Sequence, residues 1–183
     1  MDRKNYQEIL TFEKIQYFEK FGLSRFGYLK TFIFREPVWS IMNWQKCSRK
    51  CDYYSSQRGF ISKIKGQLYR FLRNYYGQKM NIEASTTQIG KGLLLYHSGV
   101  IINSSAIIGE NVHFHGHNCV GNAGQNDNRC PIIGNNVTIG IGAKIIGNIE
   151  IADGIIIGAG AVVVKSFTTP NVTIAGVPAR IIS

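Results

Sequence analysis

Residues 131–164 read PIIGNNVTIGIGAKIIGNIEIADGIIIGAGAVVV, and within them Ile133, Ile139, Ile145, Ile151, Ile157 and Val163 recur at every sixth place. Glycine directly follows Ile133, Ile139 and Ile157. A helix repeats at about 3.6 residues, so this is not a helical period. It fits a coil of three short strands per turn, each contributing one inward aliphatic, with glycine easing the bend. Successive turns then stack at about the 4.8 Å strand spacing and fill a narrow prism. A sandwich would instead show alternation with turns about every 8–12 residues. Working upstream, Ile89, Leu95 and Ile101 join the pattern, and after a slip of one residue Ile108, Phe114 and Val120. The expected rungs are 89–107, 108–120 plus a loop, 133–150 and 151–168. The polar, glycine-containing stretch 121–131 interrupts the period and is expected to be extruded as a loop.

The chain outside the repeat has another composition. Residues 1–80 carry 16 of the 21 Lys/Arg, 6 of the 11 acids and 18 of the 21 aromatics. Their net charge of +10 is the charge of the whole chain, and the remainder is neutral with 15 of the 20 glycines. The boundary divides a basic, aromatic-rich domain, 1–80, from a β domain, 81–183, with a tail at 169–183. With 183 residues the chain has length for one domain with an appendage. No apolar run reaches the roughly 20 residues of a bilayer span. The first residues lack the apolar stretch of a signal peptide. Four cysteines are too few for a disulfide scaffold, so a reducing cytoplasm is expected.

In the basic domain Ile61, Ile64, Leu68, Phe71/Leu72 and Tyr75 fall at helical spacing with Lys63, Lys65, Arg70 and Arg73 between them, predicting an amphipathic helix. Phe12, Ile15 and Phe18 suggest another, and Pro37 breaks the pattern between them. Three or four helices are expected at one end of the prism. Such a domain suits capping and oligomerisation, with the aromatics as core. It also suits peripheral contact with an anionic membrane on its inner face. No nucleic-acid motif is present, and no nucleic acid is expected as partner. Cys47 and Cys51, four apart, suit helix packing better than a metal site.

Ile89-Gly90-Lys91-Gly92 leading to Leu95-Tyr96-His97, then Pro131-Ile132-Ile133-Gly134, Ile157-Gly158-Ala159-Gly160-Ala161-Val162-Val163 and Gly176-Val177-Pro178-Ala179-Arg180 resemble the hexapeptide-repeat acyltransferases over roughly residues 82–183. The branch resembled is that of serine acetyltransferases and of their relatives that O-acetylate exopolysaccharide building blocks, the colanic-acid type. The resemblance implies a mainly β fold, a left-handed parallel β-helix of hexapeptide repeats with an N-terminal α-helical domain. It implies homotrimers, or a dimer of trimers through the helices, with acetyl-CoA as co-substrate in the grooves between prisms and no metal. Serine acetyltransferases carry Arg-His-Pro where this chain has Arg129-Cys130-Pro131, and Asp where it has Tyr96. On those departures the expected acceptor is a sugar hydroxyl of a surface polysaccharide or its nucleotide- or lipid-linked precursor. Serine, in cysteine biosynthesis, is the alternative, and a non-catalytic or metal-binding coil is the alternative of another class.

Acetyl transfer to a hydroxyl needs a base, a stabiliser of the thioester oxyanion, and a site for CoA. Histidine suits the first, its ordinary pKa lying near about 6.5. His97 matches the family's base. If Leu95 and Phe114 are corresponding inward positions, His115 lies over Tyr96 and Gly116 over His97. His113 and His115 share an outward face, and such a pair could also ligate a metal. Tyr96, His115, His117 and Arg129 are candidates for the acceptor, Arg129 through a carboxylate or phosphate. A backbone N–H of Gly116 or Asn122 is the candidate oxyanion donor. Gly142, Ala143, Lys144, Ala161, Lys165 and Arg180 are candidates for CoA, the small residues against its arm and the cations on its phosphates.

Overall fold

The computed structural model describes residues 2–34, 36–124 and 128–183. The chain divides into two compact units, Met1–Ile82 and Glu83–Ser183.

The first unit is helical. Its helices are α1 (Arg3–Lys20), α2 (Arg25–Ile33), α3 (Pro37–Ser56) and α4 (Phe60–Met80). Asp2 and Ser24 cap α1 and α2 by accepting from Asn5 N and Gly27 N. Pro37 opens α3, the position where a missing N–H costs nothing. Trp44, Tyr17, Tyr6 and Ile41 form the core. Buried with them is an ion pair, Arg49 Nη2 to Glu13 Oε1 at 2.7 Å. Tyr17 Oη donates to Gln45 Oε1 at 2.9 Å. Cys47 and Cys51 are buried free thiols. The apolar stripe of the amphipathic helix α4 is on the surface. Ile61, Ile64, Leu68, Phe71 and Tyr75 are exposed, as are Phe12 and Ile15 on α1. The buried side of α4 carries Gly66, Gly77 and Met80, where the helix backbone approaches Trp44 and Ser55.

The second unit is a left-handed β-helix. Its strands are β1 (Leu94–Leu95), β2 (Ile101–Ile102), β3 (Ile107–Ile108), β4 (His113–Phe114), β5 (Cys119–Gly121), β6 (Ile132–Ile133), β7 (Thr138–Ile139), β8 (Lys144–Ile146), β9 (Glu150–Ile151), β10 (Ile156–Ile157), β11 (Val162–Val163), β12 (Thr173–Gly176) and β13 (Ala179–Ile181). Strands three apart pair in parallel up to β11, and β12 then follows β10, giving three sheets, β1-β4-β7-β10-β12, β2-β5-β8-β11 and β3-β6-β9. β13 folds back antiparallel on β12, so the Gly176–Arg180 motif is the turn and return strand of a terminal hairpin. The inward column Leu95, Phe114, Ile139, Ile157 and Ile174 is in register and buried. A second inward set lies two residues before the next column, with Val137, Ala143, Ile149, Ile155 and Ala161 all buried. The sequence reading placed one inward residue per strand; there are two, because the residue entering each strand from a corner also points inside.

The slip in the period sits elsewhere than expected. Ile101 faces out and Ile102 faces in, so the extra residue lies between Leu95 and Ile102. Of the expected loop 121–131, residues 125–127 lie outside the described residues, while Pro131 and Cys130 are buried where the chain rejoins the coil. No described helix is long and apolar enough to cross a membrane.

Candidate active site

One edge of the prism, between the first and second sheets, carries the candidate residues. Backbone bonds stack it rung on rung: His117 N donates to Ser98 O at 3.0 Å, Gly142 N to Gly116 O at 2.9 Å, and Gly160 N to Ile141 O at 2.8 Å. The turns require left-handed dihedrals, with φ of +77° at Gly99, +105° at Gly116, +53° at His117, +73° at Gly142 and +67° at Gly160. Glycine adopts these at little cost; His117 is the one exception on this edge.

The uppermost corner, 96–100, holds the additional residue, and His97 stands on it, exposed. Below it is Gly116, where a methyl group would lie 2.6 Å from His97 Cβ and 3.0 Å from Ser98 O. Only glycine lets these two turns close on each other with the imidazole between them and solvent. Tyr96 N donates to Phe114 O at 2.9 Å, which holds that residue in register. Its ring stacks on His115 with centroids 4.5 Å apart and an interplanar angle of 19°. His113 meets the same ring edge-on at 6.1 Å. His117 lies against Gly99 on the far side, where a methyl would come 2.6 Å from its Nδ1. The sequence-derived residues Tyr96, His97, His115, Gly116 and His117 are thus together on two adjacent turns, and Gly142 continues the edge below them.

Asn118, which the sequence reading passed over, holds this corner from inside. It is buried; its Oδ1 accepts from Gly116 N at 2.8 Å and its Nδ2 donates to Gly140 O at 2.7 Å. It occupies the inward corner position held by Ala143 and Ala161 on the next turns. A polar residue at an inward hexapeptide position was the available signal. Its bond corrects one expectation: the Gly116 N–H is committed to Asn118 and is not presented to an oxyanion. Asn122, the other candidate donor, is half-buried and its Nδ2 donates to Gly124 O at 3.0 Å.

The candidates for CoA divide. Ala143 and Ala161 have side chains inside the prism and offer a ligand only backbone. Lys144 is exposed with Nζ donating to Gly142 O at 3.3 Å. Lys165 is exposed and lies over the Phe167 ring at 5.4 Å, and Arg180 is exposed on β13. Arg129 is exposed beside the undescribed residues. Among the described residues no group of three His, Cys, Asp or Glu is placed to hold a metal ion.

A left-handed coil behind a helical unit is a fold this chain shares with solved serine acetyltransferases. The chain is 47% identical over 97 residues to a serine acetyltransferase of Buchnera aphidicola subsp. Schizaphis graminum, covering 51% of this chain and 37% of that protein. A Brucella abortus serine acetyltransferase solved with coenzyme A is 27% identical, with a TM-score of 0.68, covering 98% of this chain and 68% of that one. A Neisseria gonorrhoeae serine acetyltransferase solved with serine shares the fold at a TM-score of 0.72 and 24% identity, covering 99% and 70%. The chain spans well under half the length of the curated relatives it matches. No family model matches it. These relatives are named for serine, which overturns the reading of a polysaccharide sugar as acceptor and of a colanic-acid-type branch.

Proposed function

We propose that this chain transfers an acetyl group from acetyl-CoA to the hydroxyl of serine, with His97 as general base. Its imidazole nitrogen takes the hydroxyl proton as the serine oxygen attacks the thioester carbonyl. The C–O bond forms, the C–S bond breaks, and the imidazolium returns the proton to the departing CoA sulfur. No acetylated protein forms on the way. Gly116 lets His97 stand at the surface without being displaced, and the Tyr96–His115 stack bounds one side of the acceptor. Arg129 supplies a cation for the serine carboxylate. Asn122 remains the candidate oxyanion donor. Gly142 supplies an open edge for the CoA arm, and Lys144, Lys165 and Arg180 supply cations for its phosphates. A homotrimer completes the groove, supported by the ladder of outward isoleucines, Ile107 and Ile132 among them, half-exposed along the sheets.

The observation that carries this reading is His97 seated on Gly116 at the glycine-lined edge. The test is release of free thiol from acetyl-CoA by the full chain with L-serine as acceptor. His97→Ala is expected to lower kcat by about 10²–10⁴-fold, the usual worth of a positioned base, with CoA binding by calorimetry retained. Absence of serine-dependent release, or an undiminished rate in His97→Ala, refutes it.

A further inference from the structure

The net positive charge of the chain resides in the helical unit, and α4 concentrates it. From residue 53 to 82 there is no Asp or Glu, while Arg58, Lys63, Lys65, Arg70, Arg73 and Lys79 are all there. At about 100° per residue, Phe60, Phe71, Ile64, Tyr75, Leu68 and Ile61 fall within one arc of about 100°. All six are at least 52% exposed. The arc lies opposite Gly66, Gly77 and Met80, the side by which the helix is buried. Lys63 and Arg70 flank it on one edge, Lys65 and Lys79 on the other. Packing inside this unit therefore leaves a full apolar stripe uncovered and bordered by cations on both sides.

We propose that this face of α4 docks on an anionic lipid bilayer, with Phe60, Ile64, Leu68 and Phe71 entering the interface and the flanking Lys and Arg meeting lipid phosphates. The charge pattern selects this occupant. A second copy of α4 would set cations against cations, with no acid on the helix to offer the opposite-sign flanks that helix pairs use. An anionic surface satisfies both edges at once, and each basic residue near it strengthens binding several-fold. The amphipathic ring of Tyr75, within the stripe, suits the boundary between acyl chains and headgroups.

The experiment is co-sedimentation of the full chain with vesicles of phosphatidylcholine alone and of phosphatidylcholine mixed with phosphatidylglycerol, at low and high sodium chloride. The wild type is expected to sediment with the mixed vesicles and to be released by salt. Ile64→Ser/Leu68→Ser/Phe71→Ser and Lys63→Glu/Arg70→Glu are each expected to lower partitioning by tenfold or more. The substituted residues are all exposed, so unchanged circular dichroism is expected, and His97→Ala should bind like wild type. Equal sedimentation with both vesicle types, none with either, or full retention by both variants overturns the proposal. So does a wild type that ignores vesicles but loses an oligomer when the apolar triple is introduced, since the face would then be covered by a second copy.

Discussion

Gly116→Ala tests the seat of His97, and Gly59→Ala is its control. Both glycines have a backbone no other residue adopts readily, φ +105° and +116°. Forcing alanine into such a region costs about 1–3 kcal/mol at either position. The surroundings differ. Nothing lies within 4 Å of a methyl at Gly59, whereas one at Gly116 would be 2.6 Å from His97 Cβ and 3.0 Å from Ser98 O. Relief at 116 has to come from the corner itself, because Asn118 anchors Gly116 from below. Overpacking of this kind adds about 1–3 kcal/mol. At about 2–4 °C per kcal/mol for a chain of this size, Gly116→Ala should melt several degrees below Gly59→Ala. A displacement of His97 by about 1 Å should also lower kcat/KM by about 10²-fold, while Gly59→Ala keeps its activity. Calorimetric melting and the thiol-release assay on both variants read the two effects. Equal melting shifts together with equal activities would refute the claim that close approach of the two turns positions the histidine.

Other substitutions separate the remaining interactions. Asn118→Ala strands the Gly116 N–H inside the prism and leaves the Gly140 carbonyl only its bond from Ala143 N, and should cost about 1–3 kcal/mol in urea unfolding with a fall in kcat larger than the change in KM for CoA. Arg49→Met leaves Glu13 as an unpaired buried charge and should cost about 3–5 kcal/mol, whereas Glu13→Leu/Arg49→Met should recover most of it. Burial, reinforced by Tyr54, Tyr69 and Tyr53, pushes the Tyr6 hydroxyl above its ordinary value of 10.0, and burial likewise raises the Cys47 thiol above 9.0. Both groups are held neutral in the fold, so their contribution is fully present below those values. It is lost as pH rises beyond them, because the unfolded chain releases protons that the folded one keeps. Tyr6→Phe should accordingly flatten the fall in melting temperature between pH 9 and 11, read by circular dichroism.

The coil was legible because its core is one residue thick at each position: an inward site has no alternative neighbour to share its volume with, so the aliphatic repeats without exception from Ile133 to Val163. The helical unit was legible only as helices. Its apolar residues repeat at helical spacing on α4, but a stripe facing core and a stripe facing out have the same spacing. What packs α4 is glycine, and Gly66 and Gly77 leave no periodic signal. The acceptor was misread because a difference at two rim positions, Tyr96 and Cys130, was weighted above a likeness carried by the whole coil. The Tyr96–His115 stack was legible from register alone, since pairing Leu95 with Phe114 puts their successors face to face.

The break in the period and the candidate site have one cause. Regular turns space inward aliphatics six apart, and Ile139 to Ile145 leaves no residue to spare at the corner. Leu95 to Ile102 spans seven, and the surplus falls among Tyr96, His97, Ser98 and Gly99. A longer corner bulges outward, which lifts His97 clear of the edge that the glycines keep flat below it. On the turn below, the inward alanine seen at 143 and 161 is replaced by Asn118, whose amide takes up Gly116 N–H and Gly140 O. The polar inward residue therefore lies on the turn directly below the longer corner. A sequence with a residue deleted between 96 and 99 and alanine at 118 would make a more regular prism and, on this reasoning, one without a presented base.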